Sequence, residues 1–590
     1  MSARAFRSAA TDGRPFLPRI TGRRGAVASH HHLSALAAAD LLKEGGNAVD
    51  AAVGAVLVEG LVNPQMHTFC GECPMLVAMA GRPVVVVNGN TVAPALATAD
   101  AYRARGLADV PDEGVLAAGV PAAPAALLLA LERFGTLPFD VVSAPARALA
   151  RDGFALHAGL IGQEKFGLRD LAAKLVARWP ATAALYLRDG ALPAEGDVQR
   201  NPGLADTLGA MAAAERAAGG GRAAGIAAAR DAFYLGDPAA SIDRFSRERD
   251  GLLRRADLAA YRARLEAPAS LAYGGVAVHK CGAWNQGPAL LQTLAILKRF
   301  DLAALHLNGP DYLHLLIEAT KLAYADREQF YGDPAFADVP LEALLSDAYG
   351  ALRAGLIDPA RADAGMRPGD PRRGRALLPA AERLGGAAWG PGTVHVDVVD
   401  AAGNMVAATP SGAWLKSCEV VPELGVPLGN RLMTFYLGPE RHPNLVAPGR
   451  QPRTTISPSL ATRGGVGWMA FGSMGGDQQD QWQLQFLLDI LVFGLSIPAA
   501  MEAPKFSSEH FPGFFAPHDR FANRVRIEPR VGEPTLRALA ALGHDVEVAA
   551  DWSEGYLLAA ARDSATGLLE AAADPRGAKG DVFPACALAW

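Results

Sequence analysis

From Met366 to Gly392 the chain carries four prolines, several arginines and no hydrophobic period. At the next residue it turns into Thr393-Val-His-Val-Asp-Val-Val399, which is β-branched and alternating at its start. No other feature constrains the fold as tightly. The first stretch predicts a mobile surface segment. The second predicts a strand, joined through the turn Asp400-Ala-Ala-Gly-Asn404 to a partner strand over 405–409. A flexible segment feeding a hairpin whose first residue is threonine is an unusual arrangement.

Around this junction the pattern alternates. Strands are expected over 25–29, 84–87, 468–471, 525–527 and 546–549. Helices are expected over 33–44, 127–133, 312–330, 482–493 and 533–542. Gly45-Gly46 stops the first helix, and Asn47-Ala-Val-Asp50 starts another that runs to Leu61 with small residues on nearly every face. A helix so poor in charge belongs against a sheet. Residues 204–230 read as helical with a break at Gly219-Gly-Gly221. Mixed strands and helices without an internal repeat point to an α/β or α+β layered fold.

Composition removes several classes of function. The 590 residues, soft prior for roughly four domains, are 50% hydrophobic and 20% charged, enough for a large core. With 56 basic against 61 acidic side chains and no long block of one sign, a nucleic-acid partner is not expected. Five cysteines do not make a disulfide framework. No apolar run is long enough to span a membrane, and residues 1–24 lack the apolar stretch of a secretory signal, so a cytoplasmic enzyme is expected.

Four local patterns carry candidate chemistry, each with a plain structural alternative. Cys70-Gly-Glu-Cys73 has redox spacing, but no second pair completes a zinc site; two buried or loop cysteines are the simpler reading. His30-His31-His32 point in different directions on any regular element, which disfavours a metal. Gly472-Ser-Met-Gly475-Gly476-Asp477 lies between an apolar strand and an amphipathic helix. Its backbone N–H groups suit an oxyanion, and a tight strand-to-helix turn explains it equally well. Thr393 could attack the Gly392 carbonyl by an N→O acyl shift. The freed α-amino group, of reference pKa about 7.7–8.0, would then serve as its base. Its alternative is a threonine that merely opens a strand.

Taken together, several short motifs resemble the γ-glutamyltranspeptidase family of N-terminal nucleophile hydrolases. They are Leu42-Lys-Glu-Gly-Gly-Asn-Ala-Val-Asp-Ala-Ala52, His314-Leu-Leu-Ile-Glu-Ala-Thr-Lys-Leu-Ala-Tyr-Ala-Asp-Arg327, Gly392-Thr-Val-His395, Ser457-Pro458, Gly475-Gly476, Gly567-Leu568 and Asp574-Pro575. The resemblance implies an αββα four-layer sandwich and a proenzyme that cuts itself before Thr393. Residues 1–392 would form a large fragment, with 366–392 as its flexible end, and residues 393–590 a small one. The two would stay together as a heterodimer that can dimerise further. It implies Thr393 as nucleophile, Ser411 in the place of a family threonine that hydrogen-bonds it, Thr409 on the same strand face, and Gly475 and Gly476 as oxyanion donors. Thr454 and Thr455 fall where the family has a serine pair that contacts the substrate carboxylate. The acyl-threonine ester would pass to water or an amine, with no metal or organic cofactor.

The departures from the family cluster where it recognises glutamyl groups. Asn90 stands for an arginine that grips the α-carboxylate, Ala413 for an asparagine, Arg431 for a Gln or Glu, and Thr434 for the aspartate that pairs with the amino group. Charge-assisted hydrogen bonds contribute about 1.5–3 kcal/mol each, so these losses predict weak glutamyl selection and another small acyl substrate. Arg431 or Arg453 is the expected holder of a single carboxylate. A less-studied branch of the family shares Gly475-Gly-Asp-Gln-Gln-Asp-Gln-Trp482 and Trp552-Ser-Glu-Gly555. Two other functions remain open on the sequence: hydrolytic C–C bond cleavage next to a keto group by the same threonine, and a non-catalytic ligand-binding relative.

Overall fold

The structure, a computed structural model, describes residues 15–373, 375–376, 392–579 and 584–590. Two seven-stranded antiparallel sheets form its centre. The first contains, edge to edge, Cys586–Ala589, Gly25–Ser29, Val396–Asp400, Met405–Ala408, Met75–Ala78, Val85–Asn88 and Arg264–Glu266. The second contains Ile20–Gly22, Leu569–Ala573, Leu557–Arg562, Val466–Ser473, Ser459–Arg463, Val276–Lys280 and Ala269–Tyr273.

Strand alternation assigns the layers. Val396 and Val398 turn outward into a core shared with helices, whereas Val399 turns inward into the cluster between the sheets. In the second sheet Met469 and Phe471 face helices and Ala470 faces inward. The inner cluster is rich in alanine, including Ala26, Ala78, Ala407, Ala560 and Ala571, and such small side chains let the sheets approach closely. Helices at His32–Lys43, Ala48–Val62 and Ala123–Phe134 contribute to the outer core of the first sheet. Pro288–Leu297, Pro310–Phe330 and Gln479–Leu491 do the same for the second. The result is the four-layer αββα sandwich.

Local chemistry accounts for the elements. Asn47 caps the second helix through a reciprocal capping box with Asp50, and every residue of Ala48–Val62 is buried, as its lack of a polar face predicts. Gly219-Gly-Gly221 separates the helices Pro202–Ala217 and Arg222–Tyr234. The hairpin after Thr393 forms through the expected turn, with Val396 opposite Ala408 and Val399 opposite Met405.

Two expectations change. The length prior of about four domains gives way to one sandwich, because each sheet draws strands from both sides of residue 392. Of the segment 366–392, expected to be a mobile surface stretch, residues 374 and 377–391 lie outside the described residues. Its start is packed instead: Met366 and Gly369 are buried, Arg367 pairs with Glu318 at 2.9 Å, and the Gly369 N–H donates to Asp326 at 2.7 Å. Missing periodicity does not exclude specific polar partners, nor the short antiparallel pairing of Gly369–Asp370 with Arg375–Ala376.

Candidate active site

Thr393 continues the hairpin past its last regular pair and bridges Ser411 across the ladder. Both side chains are buried and their hydroxyls lie 3.1 Å apart. Ser411 Oγ donates to the Gly392 carbonyl at 2.9 Å and accepts from Arg431 Nη2 at 3.0 Å. A hydroxyl has one proton and two lone pairs, so Thr393, Arg431 and Gly392 saturate Ser411. Its proton is directed at the carbonyl oxygen of the peptide bond before Thr393. Arg431 is itself held by Glu72, whose Oε2 accepts from Nε at 3.2 Å and Nη2 at 3.1 Å. Burial lifts the Glu72 carboxyl above its ordinary range, against the pull of Arg431.

Glu72 comes from Cys70-Gly-Glu-Cys73, which serves a different purpose from either chemistry its spacing suggested. Backbone bonds run both ways between Glu72 and Ser411, at 2.8 and 2.9 Å. A Cβ on Gly71 would stand 2.3 Å from the Ser411 carbonyl oxygen, so only glycine allows this approach. Both cysteines are buried and free, and burial pushes the Cys70 thiol up to about 12. Neither is a reactive thiolate. The motif is a cradle for Ser411, and the acid between the cysteines was the residue that sequence reasoning passed over.

On the same face, two residues further into the sandwich, His395 meets Thr409 Oγ1 through Nδ1 and Asp397 through Nε2, both at 2.9 Å. Thr409, expected beside Thr393, thus spends its hydroxyl on His395. Burial depresses the imidazolium of His395 to about 3 and raises Asp397 well above the carboxylate range, so the pair is a neutral hydrogen bond rather than an ion pair. The His395 N–H donates to His30 Nδ1 at 2.8 Å, and His31 Nδ1 accepts from Leu33 N at the start of its helix. His30 and His31 thus serve separate structural ends.

The Gly472–Asp477 loop joins the strand Val466–Ser473 to the helix Gln479–Leu491. Gly475 adopts φ +110° and turns its carbonyl toward Thr393 Oγ1 at 3.4 Å; the Gly476 N–H donates to Gln478 Oε1 at 3.2 Å. The rest of the run supports this loop. Gln479 binds the Gly475 carbonyl and the Ser457 N–H, and Asp480 pairs with Lys280 at 2.7 Å. Trp482 Nε1 donates to Glu554, which also accepts from Ser507. The Trp552-Ser-Glu-Gly555 motif is therefore the far support of the same turn.

The remaining sequence-derived residues are buried with partners of their own. Asn90 Nδ2 donates to the Pro452 carbonyl at 2.7 Å, and its Oδ1 has no partner among the described residues. Thr454 bridges Asn285, and Thr455 is buried beside it. Thr434 donates to the Arg431 carbonyl at 2.8 Å. Arg453 forms a bidentate pair with Glu328 at 2.7 and 2.9 Å. Both arginines expected to hold a carboxylate thus already face one, because a buried guanidinium needs a partner from the fold itself. Among the described residues, His314, Glu318 and His544 could converge on a metal. Glu318, however, is paired with Lys321 and Arg367, cations that a metal would have to displace.

Comparison with known proteins places this site in context. The model of the Gamma-glutamyltranspeptidase family matches residues 34–583. The glutathione hydrolase proenzyme of Escherichia coli (strain K12) is 30% identical over 580 residues, covering 94% of this chain and 91% of that protein. A solved structure of LmbA2991HD superimposes with a TM-score of 0.91 at 41% identity, covering 98% of this chain and 100% of that one. The cephalosporin acylase of Bacillus halodurans superimposes with a TM-score of 0.84 at 28% identity, covering 99% of each chain.

Proposed function

The chain belongs to the gamma-glutamyltranspeptidase family of hydrolases, and from that premise we propose a self-processing N-terminal nucleophile amidohydrolase that uses Thr393 on a small acyl substrate other than γ-glutamyl. The observation that carries this reading is the polarised peptide bond: Ser411 donates to the Gly392 carbonyl at 2.9 Å while its oxygen lies 3.1 Å from Thr393 Oγ1.

In self-cleavage Thr393 Oγ attacks the Gly392 carbonyl carbon, and its proton passes to the departing Thr393 nitrogen as the C–N bond breaks. Water then hydrolyses the ester, releasing the Gly392 carboxylate and leaving Thr393 with a free α-amino group. That amine takes the Oγ proton when Thr393 attacks a substrate amide, and it returns the proton to the leaving amine. Water or a second amine releases the acyl group. Ser411, polarised by Arg431, stabilises charge on the carbonyl oxygen; one such donor is typically worth about 3 kcal/mol. Gly475 and Gly476, expected as oxyanion donors, do not present free N–H groups here: Gly475 turns its carbonyl to Thr393 and the Gly476 N–H is taken by Gln478, which leaves Ser411 as the donor at this carbonyl.

A non-glutamyl acyl group is favoured by the pairing of Arg431 with Glu72 and of Arg453 with Glu328. It is also favoured by Thr434, a neutral residue where an ammonium group would need an acid. The relatives themselves divide: identities of 30% and 28% belong to a glutathione hydrolase and a cephalosporin acylase. Intact mass spectrometry of the purified protein and of Thr393→Ala tests the proposal. Fragments of about 41 and about 21 kDa, by proportion from the 61.5 kDa chain, are expected for wild type, and one full-length chain for the variant. A wild-type chain that stays whole would overturn it and favour a ligand-binding role.

A further inference from the structure

The uncut chain carries its own acyl group. In the ester formed during self-cleavage, Gly392 is attached to Thr393 Oγ as a substrate acyl group would later be. The Gly392 α-carbon therefore marks the place of the carbon next to the reacting carbonyl, and its surroundings describe the acyl pocket.

Those surroundings are aromatic. A Cβ placed on Gly392 would stand 2.6 Å from Phe166 Cε1 and 3.2 Å from Trp414 Cε2. The two rings meet edge to face, with centroids 5.7 Å apart at 79°, and Phe515 packs against Trp414 with centroids 6.1 Å apart. Trp414 is 2% exposed, and its Nε1, bonded to the Cε2 that a Cβ on Gly392 would approach, is buried without a hydrogen-bond partner among the described residues. A buried unpaired donor is unfavourable, and a bound ligand that supplies an acceptor removes that penalty. Lys416 Nζ lies 3.7 Å above the Phe166 ring and 5.3 Å from the centre of Trp414. The indole N–H edge and the Lys416 amine, whose ammonium form burial brings down to about 7, both disfavour a second cation beside these rings.

We propose that Phe166 and Trp414 form the wall of the acyl site and select a flat acyl group, unbranched at the carbon next to the reacting carbonyl, that carries a hydrogen-bond acceptor for Trp414 Nε1 and no ammonium group. This rests on Thr393 as the nucleophile. Phe166 excludes branching because a substituent on that carbon meets the ring edge below contact distance. Trp414 supplies the directional contact, since an aromatic wall by itself does not distinguish an ether or keto oxygen from a methylene.

The processed enzyme would be assayed on three p-nitroanilides: phenoxyacetyl, phenylacetyl and L-γ-glutamyl. Expected is a kcat/KM for phenoxyacetyl at least tenfold above both others, and in Trp414→Phe a fall of about tenfold in the phenoxyacetyl-to-phenylacetyl ratio. Phe166→Ala, a second and independent variant, is expected to raise the ratio of 2-phenoxypropionyl to phenoxyacetyl turnover at least tenfold. Preference for the γ-glutamyl anilide, or ratios that neither variant moves, overturns the inference. Mass spectrometry of each preparation separates this from failure of the parent reading. A processed enzyme with unmoved ratios refutes only the pocket, whereas an unprocessed wild type refutes the nucleophile.

Discussion

Arg431 illustrates how a single side chain changes meaning between sequence and structure. As an isolated cation in register with a substrate pocket it suggests carboxylate binding. With Glu72 at 3.1 Å and Ser411 at 3.0 Å it becomes the anchor of the hydroxyl that donates to the Gly392 carbonyl. Glu72→Gln leaves Arg431 buried without a carboxylate. Removing one partner of a buried pair costs about 3–5 kcal/mol. The expected outcome is a lower unfolding midpoint and self-cleavage slowed at least tenfold, read by the time course of fragment appearance. Arg431→Gln should slow cleavage comparably while leaving Glu72 free to take a proton, with a smaller loss of stability. Equal cleavage rates in wild type and both variants would separate this pair from processing. Gly71 belongs to the same unit, because any side chain there displaces the Ser411 backbone.

At the scale of elements, the site depends on two strands from different sheets meeting without a side chain between them. A Cβ at Gly472 would stand 2.3 Å from His395 Cε1, so the Val466–Ser473 strand can lie over His395 only because that position is glycine. Gly472→Ala is expected to push the sheets apart locally, with the 1–3 kcal/mol typical of an overpacked core and slowed cleavage; thermal unfolding and intact mass check both. The helix Ala48–Val62 holds a second buried group, Glu59, which accepts from Asn63 Nδ2 at 2.7 Å. Burial raises its carboxyl to about 7. The folded state therefore holds a proton that the unfolded chain has already released. Stability from Glu59 is full below its ordinary value near 4.5 and is lost as pH rises through about 7. Between pH 5 and 8 the unfolding midpoint of wild type is expected to fall more than that of Glu59→Gln. Parallel profiles for the two proteins would contradict this.

For the whole molecule, the consequence of topology is that a cut before Thr393 does not divide the fold. Val396–Asp400 lies between Gly25–Ser29, from the long side of the cut, and Met405–Ala408, from the short side. The second sheet is likewise interleaved, with Val276–Lys280 beside Ser459–Arg463. Fragments produced by cleavage are expected to co-elute under native conditions and to separate only in denaturant, which size-exclusion chromatography before and after denaturation would show. Separation under native conditions would contradict this interleaving. Among the described residues no helix is long and apolar enough to cross a membrane.

Local signals in the chain determined what local physics can determine. The capped, all-buried helix at Ala48–Val62, the glycine break between two helices, and the hairpin opening at Thr393 depend on near neighbours and on burial periodicity. The motif order around them was enough to mark the family and its layered fold. Tertiary structure alone decided which groups are spent on one another. Glu72 and Arg431 are 359 positions apart, Asn90 and Pro452 are 362 apart, and Phe166 reaches Gly392 from another helix-rich region of the chain. No sequence period encodes such pairs. Whether a buried charge is available to a substrate or already satisfied depends on partners that only the closed sandwich brings within hydrogen-bond reach.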